Sequence, residues 1–218
     1  MVDEVSAGQA VELAPAAAHE VFGDAWPRVD SFADMLVAEG ELRGLIGPRE
    51  LPRLWTRHLL NSSAVAGFVP RDVRLADVGS GAGFPGVVVA LMRPDLDVHL
   101  IEPMERRTAW LNDVVEQLSI SNVTVHRARA EELHGVDSFA VVSARAVAAL
   151  RKLVPWVGPL IAPSGRLLAL KGERAAQEVE DARKVLRKHG LQQTTVHEVV
   201  VGGTEEPTRV VEAVRARD

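Results

Sequence analysis

The chain has 218 residues, 47% hydrophobic and 25% charged, ordinary globular usage in a length that suits one domain with a small appendage. It contains no cysteine and no tyrosine, which excludes disulfides, thiolate metal sites, iron–sulfur clusters, thiol nucleophiles and any tyrosine chemistry. The formal charge of −5 is uneven: residues 1–42 hold nine acids and one base, Arg28, against 24 bases and 21 acids in the remainder.

Residues 1 to about 15 mix alanine, acids and glycine with no period, and a loose tail is expected there. No basic residue precedes Arg28, so a secretory leader is not expected. The longest uncharged apolar stretch, 153–165, is broken by Pro155, Pro159 and Pro163 and is shorter than the ~18 residues that span a bilayer. A soluble, cytoplasmic, monomeric protein without membrane contact is the expectation. From His19 to Phe68 the apolar spacing is helical, with Phe32, Leu36 and Val37 on one segment and Leu51, Leu54, Trp55, Leu59 and Leu60 on another. Asp30 or Ser31 is a candidate helix cap in this region. Residues 1–70 are therefore assigned to a tail and helical extension, and residues 71–218 to an α/β domain.

Beyond residue 72, short apolar runs alternate with helical patterns. Strands are expected at 73–78, 98–101, 123–125, 139–143 and 167–170. Helices are expected through Met92, at 106–118, at 150–161 and at 174–188, and the chain closes with an antiparallel pair at 194–201 and 209–214. This alternation means a mostly parallel sheet covered by helices on both faces, with ligands bound beyond the carboxyl ends of the strands.

The strongest motif follows the first of these strands: Asp77-Val-Gly79-Ser-Gly81-Ala-Gly83-Phe84-Pro85-Gly86. Counted from Gly81 it is G-x-G-x-x-G, a dinucleotide fingerprint; counted from Asp77 it is D-x-G-x-G-x-G, typical of S-adenosylmethionine (SAM) sites. A pyrophosphate wants bare amides with no nearby anion. SAM carries an ammonium and a sulfonium, so a carboxylate at Asp77 favours SAM, acting directly or through water. Glu102 ends the second strand about 20 residues later, where a carboxylate grips ribose hydroxyls in either cofactor. Arg129-Ala130-Glu131-Glu132 after the third strand places an amide and an acid where they can bracket an adenine edge, and is equally a plain helix start.

The missing chemistries narrow the methyl acceptor. Carbon-5 methylation of pyrimidines needs a cysteine, and adenine amino methylation uses an Asn-Pro-Pro-Tyr type turn; neither exists here. The histidines show no paired metal spacing, so no metal is expected. Ring nitrogens, oxygens and small-molecule acceptors remain. A ring nitrogen such as guanine N7 already exposes a lone pair and needs only alignment with the methyl group.

DVGSGAGFPG, IEPMERR, RARAEEL, SARAVA and LALKGE, in this order and spacing, closely resemble the bacterial RsmG (GidB) family, as does the RHLLNSS segment at 57–63. The resemblance covers about residues 55–172. It implies a class I SAM-dependent methyltransferase fold, Rossmann-like with a seven-stranded sheet, that methylates N7 of one guanine in the 530 loop of 16S rRNA within the small ribosomal subunit. It also carries the family's cofactor residues to Gly79, Phe84, Ala130, Glu131 and Arg145. Phe84 stands where many relatives have Leu, and Glu102 where Asp is common. The segment from Glu41 to Pro48 departs from the family's usual N-terminal signature and has the character of actinobacterial members.

Arg43, Arg49, Arg53, Arg57 and His58 surround the early helices, and Arg106, Arg107, Arg145, Arg151, Lys152 and Lys171 fall near strand ends. Each alone is an ordinary surface charge; together they are candidates for a phosphate-binding rim. Arg145 is the candidate catalytic residue. Its strand is expected beside the first, which turns its end to the methyl-donor pocket. A guanidinium next to a sulfonium is repulsive, so Arg145 either pairs with an acid such as Asp77 or meets a phosphate or base of the RNA. A small-molecule methyltransferase and a non-catalytic SAM-binding protein are the alternative functions.

Overall fold

The computed structural model describes residues 10–202 and 204–217. Helices α1 (Ala18–Phe22) and α2 (Trp26–Glu39) come first, then a 3-10 segment Pro48–Arg53, a π-helical segment Leu54–Leu60 and the short α3 (Asn61–Ser63). The α/β part follows as β1 (Arg74–Val78), α4 (Gly86–Met92), β2 (Asp97–Ile101), α5 (Glu105–Gln117), β3 (Val123–His126), β4 (Phe139–Arg145), α6 (Leu150–Val157), β5 (Ile161–Lys171), α7 (Ala175–Lys188), β6 (Leu191–Val199) and β7 (Thr208–Arg215). The strands form one seven-stranded sheet in the order β3-β2-β1-β4-β5-β7-β6. Pairings are parallel from β3 to β5 and antiparallel where β7 joins β5 and β6.

Burial explains why the strands stood out as apolar runs. After its first residue, β1 is buried throughout, as a central parallel strand covered on both faces must be. The edge strands β3 and β6 carry more polar, partly exposed residues. Helix α4 has six of its residues buried, Gly86 to Leu91, because it lies between the sheet and the N-terminal helices. Phe32, Leu36, Leu54, Leu59 and Leu60 belong to the same apolar cluster as α4, so the extension completes one core with that face of the sheet. A second cluster fills the opposite face, under α6 and α7.

Several sequence expectations are corrected. Helix α2 begins at Trp26, so Asp30 and Ser31 lie within it, and the Ser31 hydroxyl donates back to Pro27 O at 2.9 Å. Val37 is exposed beside the buried Leu36. The first nine residues of the expected tail lie outside the described residues, but Glu12 is tied down. Its carboxylate accepts from the Trp55 and Thr56 amides at 2.8 and 3.1 Å, supplying partners for donors left unpaired at a helix start. Strand β5 starts at Ile161, where a helix was expected to end. It includes Ser164 at φ 61°, and its pairing with β4 shifts register between Phe139 and Val141.

Candidate active site

Strand order reverses between β1 and β4, and the crevice beyond their carboxyl ends is the site this topology offers a ligand. A cavity of about 520 Å³ opens there, within the usual range for small-molecule sites. Gly79, Gly81, Phe84, Glu102, Ala130, Glu131 and Arg145 all line it. So do Glu50, His58, Met104, Arg107, Val147 and Trp156.

Asp77 is the exception. It is fully buried beneath the turn and does not line the cavity. One carboxylate oxygen accepts from the Ser143 hydroxyl at 2.8 Å, and the other from the Gly86 amide at 3.0 Å. Asp77 therefore ties β1, β4 and the start of α4 together and braces the turn from below instead of facing the cavity. Burial pushes its carboxyl up to about 6, against the opposing effect of the Ser143 bond. An Asp77–Arg145 pair is not formed either, although Asp77 still acts on Arg145 through its charge.

The turn is built for close approach. Gly79 takes φ 72°, where a side chain is strained, and its amide donates to Ile101 O at 2.8 Å. Gly86 is required for space: a Cβ there would stand 2.4 Å from Leu100 Cδ2 and 2.6 Å from Asp77 Oδ2. The Trp110 indole donates to Ala82 O at 3.0 Å and holds the outer side of the turn.

Glu102 is only 2% exposed and works on both sides of its carboxylate. Oε2 accepts from the Gly81 amide and Oε1 from the Met104 amide, each at 3.0 Å. Arg107 Nη1 stands 3.7 Å from Oε2, and Arg107 Nε is buried with no hydrogen-bond partner among the described residues. At the neighbouring wall the Glu132 carboxylate accepts from the Arg129 amide at 2.9 Å, which fixes the turn that brings Ala130 and Glu131 to the cavity.

Arg145 closes the opposite side. Its guanidinium lies 4.6 Å over the Phe84 ring, with Nη1 donating to Arg57 O at 3.1 Å and Nη2 to His58 Nδ1 at 2.8 Å. Burial lowers its pKa to about 10, which leaves it charged at neutral pH. Nothing in the sequence singles out Glu50, and His58 and Arg107, expected on an outer rim, stand in the cavity wall. The rim itself shrinks: Arg43 is held by Glu39 and Asp113, and Lys171 by Ala148 O and Glu178. Among the described residues no group of three or more His, Cys, Asp or Glu forms a metal cluster, and no helix is long and apolar enough to cross a membrane.

Comparison with known proteins decides the family. The sequence model of GidB, rRNA small subunit methyltransferase G, matches residues 26–206. The chain belongs to this family. A ribosomal RNA small subunit methyltransferase G from Beutenbergia cavernae is 52% identical over 92% of this chain and 94% of its own length. The protein of the same name from Thermobifida fusca is 49% identical over 89% of this chain and 82% of its own. Among solved structures, M. jannaschii TYW2 in complex with AdoMet superposes with a TM-score of 0.60 at 16% identity, covering 76% of this chain and 78% of that one. A Streptococcus thermophilus rRNA methylase gives 0.51 at 12% identity, over 72% and 94%. The fold of this chain is thus that of class I methyltransferases.

Proposed function

We propose that this protein transfers a methyl group from SAM to N7 of one guanine in the 530 loop of 16S rRNA. The observation that carries this reading is one cavity, in a chain of this family, that joins the glycine turn, a buried acid at the end of β2 and an arginine at the end of β4. The residues fit SAM. A Cβ on Gly81 would meet nothing nearer than Gly79 O at 3.7 Å, so the space above the turn belongs to the cavity. The carboxylate lone pairs of Glu102 that the Gly81 and Met104 amides leave free suit ribose hydroxyls. Ile101 and Met104 give the adenine an apolar bed, and Ala130 and Glu131 offer an amide and an acid to its edge. Bound SAM supplies an electrophilic methyl group on a sulfonium.

The chain's task is alignment. N7 carries its own lone pair and no proton leaves it on methylation, so no general base is required; proximity and orientation are the main contributions. Arg145 and Phe84 form the wall on the side where a base can enter, and the guanidinium is suited to the guanine O6 acceptor. Arg49, Arg106, Arg151 and Lys152 are the rim residues for RNA phosphates. The two-part division at residue 70, with the extension shaping the Arg145 side of the cavity through Glu50 and His58, belongs to the same proposal. The test is incubation of purified protein with SAM and small subunits that lack the modification, followed by nucleoside analysis. 7-Methylguanosine is expected; methyladenosine or methylcytidine alone refutes the reading.

A further inference from the structure

Glu50, His58 and Arg145 form a continuous hydrogen-bonded chain along the cavity wall. Glu50 Oε2 lies 2.7 Å from His58 Nε2, and His58 Nδ1 lies 2.8 Å from Arg145 Nη2. The imidazole stacks on the Phe84 ring at 5.2 Å, and the guanidinium lies over the same ring. A guanidinium only donates, so His58 Nδ1 must be a bare acceptor. The ring is then neutral, with its proton on Nε2 and donated to Glu50. Burial, with the nearby Arg145 charge, holds His58 well below the usual histidine range, at about 4, although Glu50 acts in the opposite sense. Both ring nitrogens are committed by their partners, and the plane of the guanidinium is fixed in turn.

We infer that Glu50 and His58 are positioning residues for methyl transfer: through the neutral imidazole they aim the free N–H groups of Arg145 at the target base. The inference rests on the reading above, in which Arg145 meets the guanine. Of the five N–H groups of a guanidinium, one on each terminal nitrogen is engaged, by Arg57 O and His58; the others bond none of the described residues, and the side chain lines the cavity. The far end of the chain also matters electrostatically. Methylation at N7 places positive charge on the purine, and an isolated arginine at O6 opposes that development. The Glu50 carboxylate behind His58 offsets the field while leaving the donors in place. The π-helical winding of Leu54–Leu60 presents both the Arg57 carbonyl and His58 to Arg145, and π turns are frequent at functional sites.

Glu50 also faces Arg53 at 3.2 Å and Arg57 at 3.6 Å, so replacing it disturbs the rim as well; His58 gives the cleaner test. Single-turnover methylation of unmodified small subunits, at saturating SAM, is measured for the wild type, His58→Ala, His58→Asn, Arg145→Ala and both double variants. His58→Ala is expected to slow transfer ~10-fold or more, with SAM affinity by calorimetry unchanged within about threefold. His58→Asn, whose amide oxygen can accept from Arg145 Nη2, should recover most of that loss. In the Arg145→Ala background either His58 change should add less than about twofold, because its route of action is gone. Losses that multiply in the double variants overturn the inference, as does an asparagine variant no better than alanine. Should His58→Ala not fold, His58→Phe, which can keep the stack on Phe84 but offers Arg145 no acceptor, takes its place in the same cycle. A fully active Arg145→Ala refutes the underlying role of Arg145 and this inference with it; 7-methylguanosine formed by the wild type keeps that failure separate from failure of the proposed reaction.

Discussion

Glu102→Gln tests the proposed double role of Glu102, in the geometry of the turn and in binding the ribose. In the wild type each carboxylate oxygen receives one backbone amide, Gly81 on one side and Met104 on the other, at 3.0 Å. Glutamine keeps the shape but offers one acceptor oxygen, so its amide group must face one of these N–H donors and that bond is lost. The negative charge that strengthens the ribose bonds is lost too, and Arg107, 3.7 Å away, is left without its counter-charge. Charge-assisted hydrogen bonds contribute about 1.5–3 kcal/mol each, so the combined effect is put at about 3 kcal/mol. At 1.4 kcal/mol per tenfold, SAM should bind about 100-fold more weakly. Calorimetric titration measures this, with circular dichroism to confirm that the variant folds. An analogue lacking the ribose hydroxyls adds a control: it should bind the wild type much more weakly than SAM does, and show almost no such discrimination with the variant. A variant Kd within about threefold of wild type would refute the assignment of Glu102 to the ribose.

Arg145→Ala should keep the fold and cut methylation ~100-fold or more, about 2.7 kcal/mol of barrier, and Arg145→Lys should rescue it poorly because a point charge does not reproduce the planar fork; near-normal single-turnover rates in the alanine variant would exclude the role. Gly86→Ala should lower Tm by about 10 °C in calorimetry, since the new Cβ overpacks Leu100 and displaces the amide bonded to Asp77, each at about 1–3 kcal/mol, and one kcal/mol shifts a domain of this size by ~2–4 °C; an unchanged Tm would contradict the packing. Asp77 has a folded pKa of about 6, above its ordinary 3.8, so its protonation favours the folded state below 3.8 and that contribution is lost as pH rises through 6. Asp77→Asn removes this dependence, and its stability relative to wild type should improve by about 2 kcal/mol between pH 4 and 7 in denaturant titrations; a difference constant with pH would refute the protonation argument.

The parallel part of the sheet was legible because buried strands between two helical layers need apolar residues at nearly every position, as β1 and β4 show. The glycine turn was legible for a related reason: positive φ at Gly79 and the contact at Gly86 leave few other residues possible. What one-dimensional spacing does not carry is the direction of a side chain after the chain has folded. Asp77 has the motif position of a ligand-facing acid, but Ser143, brought beside it by the pairing of β1 with β4, and the Gly86 amide take both its oxygens. His58 carries the charge signature of a rim residue, and only the approach of β4 to the N-terminal extension makes it a partner of Arg145. Glu50 showed no signal beyond its spacing from His58, and Glu12 looked like part of a structureless tail because the donors to its carboxylate, the Trp55 and Thr56 amides, are distant in sequence.

Nucleotide-resolution mapping of 7-methylguanosine in ribosomal RNA tests the central claim most directly, using a strain deleted for this chain and complemented with either the wild type or Arg145→Ala. One guanine in the 530 loop of 16S rRNA should lose its methyl group on deletion, regain it with the wild-type chain, and stay largely unmodified with the variant. Unchanged methylation of that loop in the deletion strain, or full restoration by Arg145→Ala, would contradict that claim.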